Sequence, residues 1–535
     1  MRLVLLCIIF LLPICQSAWG LGLPEDARLS NDEGRTSESV QQLLLVLDRQ
    51  YATALQQLAG QIQKNDPTGA RMLAAWLPSQ PDCGDRLFVA SDIYSPLLNR
   101  MKAANISGGD QPSILSSWQK DWQALREKMA QQYYLLAIGA CQQNQVGLAL
   151  RLATRALREN PDHPKARRLL GYQRVGDLWG GGYAARMFAS ARVWDPQYGW
   201  VRSNTIERWN AGQRPRGRQW ISVEQDQRHH QTIEEGWHVR SDHYEIVTNQ
   251  SRSAAVDLVK KMETVYQIWQ QLFGEYFLSS QQLLQRATGQ LGPGSQRKPF
   301  QVRYYRSRHE YNDHLRHLQP RIDRTLGIYF DSLRQTHFFY GPEQDAGTLT
   351  HEAIHQLFQE TRGTARKRTT SQLAIQANAW VIEGVACYFE SLLGHPLLGP
   401  RNTKLPNIGQ SNLTDRSDGR SLTEFFTIGT PNAGRLPAAR HRRLVDSYYL
   451  PLREFSALNA RELHRHAQIA RLYSQAAGVT TFLMYYQGGI YRQSLVQYLQ
   501  AVYAGRDKPT TLAETTGRPF EKLDEQYTEF LQRLP

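Results

Sequence analysis

Cysteine is scarce in this 535-residue chain, with five in all. Two of them, Cys7 and Cys15, lie in an apolar leader, which leaves Cys83, Cys141 and Cys387. That excludes a disulfide-built fold; Cys83 and Cys141 are the one pair available for a bridge. Long apolar runs are equally rare. The only one is "MRLVLLCIIFLLPICQSAWG", where one early arginine, an apolar stretch from Leu3 to Cys15 and a small-residue exit at Ala18–Gly20 read as a secretory signal over residues 1–20. Pro13 and Gln16 interrupt it as a membrane span. No later segment is long and apolar enough to cross a bilayer, so the mature chain is expected to be exported, periplasmic or extracellular, without a transmembrane span after signal cleavage. A nucleic-acid reading element is missing as well. The formal charge is +14, with arginine clustered in "RPRGR" and "AARHRR", but nothing interleaves those clusters as a reader of bases would require. They read as solvated loops, and no nucleic-acid partner is expected.

What is present divides the chain by composition. After a polar tether at 21–37, residues 38–200 are rich in Leu, Ala, Gln and Arg at helical spacing and are expected to be all-helical. Within them "QQYYLLAIGACQQNQVGLALRLATRALRENPDHPKARRLLGY" (131–172) reads as three helices joined by short turns, with Ala137, Gly139 and Ala140 where two could approach closely. That stretch resembles a tetratricopeptide repeat, which implies a helical-pair domain and a surface for a protein partner. A connecting segment at 201–240 leads to strand-like runs, "RQWISVEQDQRHH", "GWHVRSDHYEIVTN" and "KPFQVRYYRS", with an apolar-periodic helix at 253–277 between the last two. Then "GIYFDSLRQTHFFYG" gives two short strands around a turn. The order predicts an α+β fold, predominantly helical.

"GTLTHEAIHQLFQE" (347–360) carries His-Glu-x-x-His. On a helix His351 and His355 are separated by about 400° and about 6 Å, so both imidazoles reach one ion from one face. Glu352 lies on the open flank, placed to take a proton from water and unsuited to be a third ligand. Phe358 and Thr361 stand where the glycine and the third histidine of the longer HExxHxxGxxH motif would be, and Glu360 points about 140° away from His355. The third ligand is therefore expected on a second helix, "LAIQANAWVIEGVACYFES" (373–391), entered from a loop in which Gly363 ends the first helix and Thr370 or Ser371 caps the second. There Glu383 sits among apolar neighbours, where burial is costly unless it is paired or bound to metal. Small residues flank it, as close approach to the first helix would require. Glu390, two turns further on, is placed to hold a ligand histidine by its second nitrogen. Cys387 reads as core packing beside the site. Closed structural zinc sites use four ligands with cysteine prominent, unlike this set.

"HEAIHQLF" followed by "WVIEGVACYFE" resembles the gluzincin metallopeptidases, the peptidase MA-like group, and the chain looks most like an exported bacterial branch with a tetratricopeptide-like leader. The resemblance covers residues 241–535. It implies a zincin-like domain with a small mixed sheet, an edge strand at "GIYFDSLRQTHFFYG" that pairs with substrate, and a closing helical subdomain from about 440. It further implies one Zn2+ per chain held by His351, His355 and Glu383, with Glu352 as general base and a peptide or protein as substrate. A transition-state donor is implied after the third ligand. Tyr473 matches best, with His441, Tyr448 and Tyr449 as rivals. A protein of another class, a catalytically silent scaffold on the same fold, is the alternative.

Overall fold

The computed structural model describes residues 39–77, 81–89, 116–290, 298–362, 376–395 and 425–535. The signal segment at 1–20, the tether, Gly363, Thr370 and Ser371 lie outside them. The fold is α+β and predominantly helical. Among the described residues no helix is long and apolar enough to cross a membrane.

The chain begins with helices α1 (Val40–Ile62) and α2 (Pro67–Ala75) and strand β1 (Asp85–Phe88). Helices α3 (Ser117–Gln142), α4 (Val146–Glu159) and α5 (Pro164–Leu169) then supply the three helices expected from 131–172. Ala137, Gly139 and Ala140 are all buried on α3, beside a core that also takes in the apolar faces of α1 and α4.

The expected all-helical run over 38–200 is broken in two places. β1 leaves the helical region to pair antiparallel with a strand near residue 426. From residue 173 the chain makes a β-hairpin and a short helix three times: β2 (Gln173–Val175), β3 (Leu178–Gly180) and α6 (Gly182–Ala189); β4 (Arg192–Asp195), β5 (Gly199–Arg202) and α7 (Ile206–Asn210); β6 (Gln213–Arg216), β7 (Gln219–Ser222) and α8 (Val223–His229). Each second strand carries a tryptophan, and these face Arg174, Trp194 and Pro215 across their hairpins. Gly176 and Gly217, at positive φ, close two-residue turns that a helix does not tolerate. The segment read as one strand from 218 to 230 is therefore only β7. Ser222 caps α8 through Gln225 and turns the rest into helix.

A five-stranded sheet follows, built from β8 (Trp237–Arg240), β9 (Tyr244–Thr248), β10 (Phe300–Tyr305), β11 (Ile328–Phe330) and β12 (Gln335–Phe339), in the order β11-β12-β10-β9-β8. β9, β10 and β12 run parallel; β8 and β11 are antiparallel edges. Because β8 begins at Trp237, the sheet starts inside the stretch assigned to a connector. Helix α9 (Arg252–Phe273) joins β9 to β10, and its apolar stripe of Val256, Val259, Met262 and Trp269 is buried in the core that also holds β9 residue Ile246.

A carboxylate–imidazole pair locks α9 to the start of β9. Glu263 accepts the His243 backbone N–H at 2.8 Å and its Nδ1–H at 2.7 Å. Burial disfavours both charges, but each offsets it for the other, so His243 is held above its ordinary 6.5 and Glu263 below its ordinary 4.5. The histidine contribution is complete below 6.5 and fades as pH rises through its folded value. The glutamate contribution is complete above 4.5 and fades as pH falls. The urea-midpoint gap between wild type and Glu263→Gln should thus be widest near pH 5.5 and narrow in alkali; a gap constant from pH 5 to 9 would contradict the pairing.

Next come α10 (Ser280–Ala287), α11 (Arg308–Leu315), and the two helices of the candidate site, α12 (Ala346–Thr361) and α13 (Ala379–Phe389). Strands β13 (Leu393–His395) and β14 (Phe425–Ile428) join β1 in a second sheet, ordered β1-β14-β13. The chain closes with helices α14 (Leu436–Leu444), α15 (Leu452–Ala457), α16 (Ala460–Arg465), α17 (Ile469–Tyr485), α18 (Arg492–Tyr503), α19 (Thr511–Thr516) and α20 (Phe520–Arg533).

No Cys83–Cys141 bridge forms: all three described cysteines are free and buried. Cys83 packs in the core shared by the sheet and the closing helices, and Cys141 in that of the leader helices. Burial pushes both thiols up to about 12, with Asp85 adding to the effect at Cys83, so neither is a thiolate near neutral pH.

Candidate metal centre

Two helix starts fix the site. Asp345 caps α12 by accepting the Thr348 N–H at 2.7 Å and its hydroxyl at 2.9 Å. Helix α13 begins six residues later than the expected 373, after Asn378, which takes the left-handed conformation at φ 61°, one that asparagine tolerates better than most residues. Its side chain is tied to Asp507, to the Lys508 carbonyl and to the Tyr498 hydroxyl. Gly384 beside Glu383 has a packing reason of its own. A Cβ there would stand 2.7 Å from Thr480 Oγ1 and 2.9 Å from the Ala476 carbonyl oxygen. At Gly384 the small residue admits α17, and not α12 as the sequence suggested.

From these helices His351 Nε2, His355 Nε2 and a Glu383 oxygen converge. The imidazole nitrogens are 3.1 Å apart, and Glu383 Oε2 stands 3.4 Å from the first and 3.7 Å from the second. Donors around a tetrahedral ion at bond lengths of about 2.0–2.2 Å are separated by about 3.3–3.6 Å, so the three atoms lie within a few tenths of an ångström of the corners around a single cation. All three side chains are nearly buried, at 13–14 % exposure.

Glu390 performs the orienting task expected of it. Its Oε1 takes a hydrogen bond from His351 Nδ1 at 2.9 Å, which turns Nε2 toward the trio. Arg435, on the residue before α14, grips the same carboxylate through Nε at 2.6 Å and Nη2 at 3.1 Å. A second group, His351, Cys387 and Glu390, also lies close enough to share an ion, but there Glu390 is already engaged by His351 and Arg435. Cys387 is fully buried, as read, and its thiol also bonds to His351.

Glu383 and His351 stabilise each other's charged forms. Burial opposes ionisation of Glu383, but His355, His351 and His464 outweigh it and hold the carboxyl well below its usual range. Burial likewise opposes a charge on His351, but Cys387, Glu383 and Glu390 raise it well above the ordinary value.

Glu352 stands on the flank of α12 toward β11, where its Oε2 accepts the Tyr329 backbone N–H at 2.9 Å. Tyr473, on α17, reaches Glu383, and burial together with that carboxylate pushes its hydroxyl far up, so it stays a proton donor. Its rivals are committed elsewhere: Tyr449 donates to Asp524 at 2.6 Å, Tyr448 lies under Arg471, and His441 faces Asp446 at 3.9 Å. Glu360 is engaged by Arg334 at 2.8 Å, away from the trio.

Two residues escaped sequence reasoning. His464, on α16, places Nε2 3.4 Å from Glu383 Oε1 with half its side chain in solvent, and its bond to Glu383 raises its pKa. Arg435 is the other. The one available signal for His464 was a histidine on a short capped helix, "NARELHR", among the closing helices.

No protein-family model matches the chain, and no curated protein matches its sequence.

Proposed function

We propose that the protein is an exported, zinc-dependent peptidase of gluzincin type. The observation that carries this reading is the convergence of His351 Nε2, His355 Nε2 and Glu383 Oε2 at 3.1–3.7 Å, with Glu352 on the adjoining flank. Two imidazoles and one carboxylate, with a fourth corner left to solvent, are the donor set of catalytic zinc. A zinc ion held there would supply Lewis acidity toward a carbonyl oxygen and acidify a coordinated water.

The chain's own residues supply the rest. Glu390 and Arg435 fix the His351 tautomer. Glu352, one residue from a ligand, takes a proton from the attacking water and returns it to the leaving amine. Tyr473 and His464, both at Glu383, are the donors available to a developing oxyanion. The edge strand beside the motif helix, the third ligand on the next helix and the closing helices over both support a zincin-like arrangement.

The test measures zinc content and cleavage of a mixed peptide library for wild type and Glu352→Gln. Wild type should hold one zinc and cleave, and the variant should keep its zinc and lose at least about a hundredfold in kcat. Stoichiometric zinc with no cleavage by either form would retire the enzyme in favour of a silent scaffold.

A further inference from the structure

The bond between Glu352 and Tyr329 has a consequence for how a peptide gains access to the site. β11 is the outer strand of the five-stranded sheet, and among the described residues only β12 pairs with it. Opposite residues in an antiparallel pair alternate between those that exchange hydrogen bonds and those whose N–H and C=O face away. Tyr329 lies opposite Thr336, between Ile328 and Phe330, and its N–H points outward to Glu352. In this three-residue strand Tyr329 is thus the residue whose backbone groups are turned toward an incoming chain. An open strand edge binds an extended peptide through such groups, and the donor it would use is already taken.

We propose that Glu352 is latched to the edge strand in the resting protein, and that an extended peptide pairing with β11 displaces it. The carbonyl of the peptide replaces the carboxylate on the Tyr329 N–H, and the freed carboxylate is then unpaired on the flank of α12, one residue from His351. Binding of an extended backbone and release of the base become one event. A small amide with no neighbouring peptide unit cannot pair and leaves the base held. The ligand class is an extended polypeptide recognised by its backbone. That release serves catalysis rests on reading Glu352 as the general base; the competition for the N–H does not.

The test uses the full-length, metal-free protein, so that no turnover intervenes. Amide hydrogen exchange at Tyr329 is measured in wild type, Glu352→Ala and Glu352→Gln, alongside the affinity of each for a fluorescent, end-blocked octapeptide pool of mixed sequence. Losing one charged acceptor should speed exchange about tenfold in Glu352→Ala and tighten peptide binding by roughly the same factor. Gln keeps an acceptor oxygen and should restore most of the protection and the weaker binding. Equal exchange at Tyr329 in all three forms overturns the latch, and equal peptide affinity in wild type and Glu352→Ala overturns the competition. A measurement without any variant guards against misfolding: saturating wild type with the pool should shift the Glu352 carboxylate carbon resonance, and a signal that stays in place also overturns the proposal. Failure of the peptidase reading looks different. Zinc-loaded wild type would then cleave nothing while the exchange and affinity pattern persisted.

Discussion

Glu383→Ala is expected to lose zinc by a factor of at least about a thousand in affinity. Removing a partner that orients a metal ligand costs about tenfold to a hundredfold; Glu390→Ala, which frees His351 Nδ1 and strips Arg435 of its carboxylate, belongs to that class. A direct donor must exceed it. Without Glu383 two imidazoles remain, and the negative charge that offsets the cation in a nearly buried pocket is gone. Competition against a calibrated chelator should rank wild type first, Glu390→Ala next and Glu383→Ala last. The second close group provides a built-in control. If Cys387→Ser released the metal while Glu383→Ala retained it, the ion would belong to His351, Cys387 and Glu390, and the proposed open coordination position would disappear with it.

How readily each part of this site could be read from sequence depended on the distance over which its cause acts. His351 and His355 needed only the helical repeat, and Glu383 needed that repeat plus the cost of burying a carboxylate. Glu390 followed from the same face of the same helix. Arg435 and His464 did not follow, because nothing local distinguishes an arginine 45 residues from its carboxylate from the many others in a basic chain. The start of α13 was misplaced for a similar reason. Thr370 and Ser371 are conventional caps, whereas Asn378 is held by Tyr498, Asp507 and Lys508, all more than a hundred residues away. Two of the three hairpins between 173 and 222 were legible in principle from Gly176-Asp177 and Gly217-Arg218, but strands of three or four residues are too short for an alternating pattern to stand out against helical neighbours. β1 was hidden because its partner β14 lies more than three hundred residues away.

The same long-range connection sets the second large effect, which concerns a residue far in sequence from the motif. Asp85, at the start of β1, takes Arg151 of the leader helices at 2.8 Å on one oxygen. On the other it takes Arg492 of α18 at 2.6 Å and the Tyr485 hydroxyl of α17 at 3.1 Å. Tyr485 in turn meets the Tyr388 hydroxyl at 2.5 Å, on the helix that carries Glu383. One carboxylate thereby joins the leader, the closing helices and the third-ligand helix. Burial alone would raise its pKa, but Arg492 and Arg151 reverse that and hold it below the ordinary 3.8, so its contribution is present above that value and lost as pH falls below it. Asp85→Ala should leave two inward-facing guanidiniums without their shared counter-charge. Breaking a fully buried pair costs about 3–5 kcal/mol; with 15 % of the Asp85 side chain exposed, about 2–4 kcal/mol is the expected loss in urea unfolding at neutral pH. The triple replacement Asp85→Leu, Arg151→Met, Arg492→Met should recover most of it, since well-packed apolar residues can substitute for a buried ion pair without penalty. A single variant as stable as wild type, or a triple variant no better than the single, would mean that the Asp85 network does not hold the N-terminal helices in place. If the network does hold these helices in place, deleting residues 1–115 removes β1 and Asp85 together, and the remaining chain has lost a strand of its second sheet and the carboxylate shared by Arg492 and Tyr485.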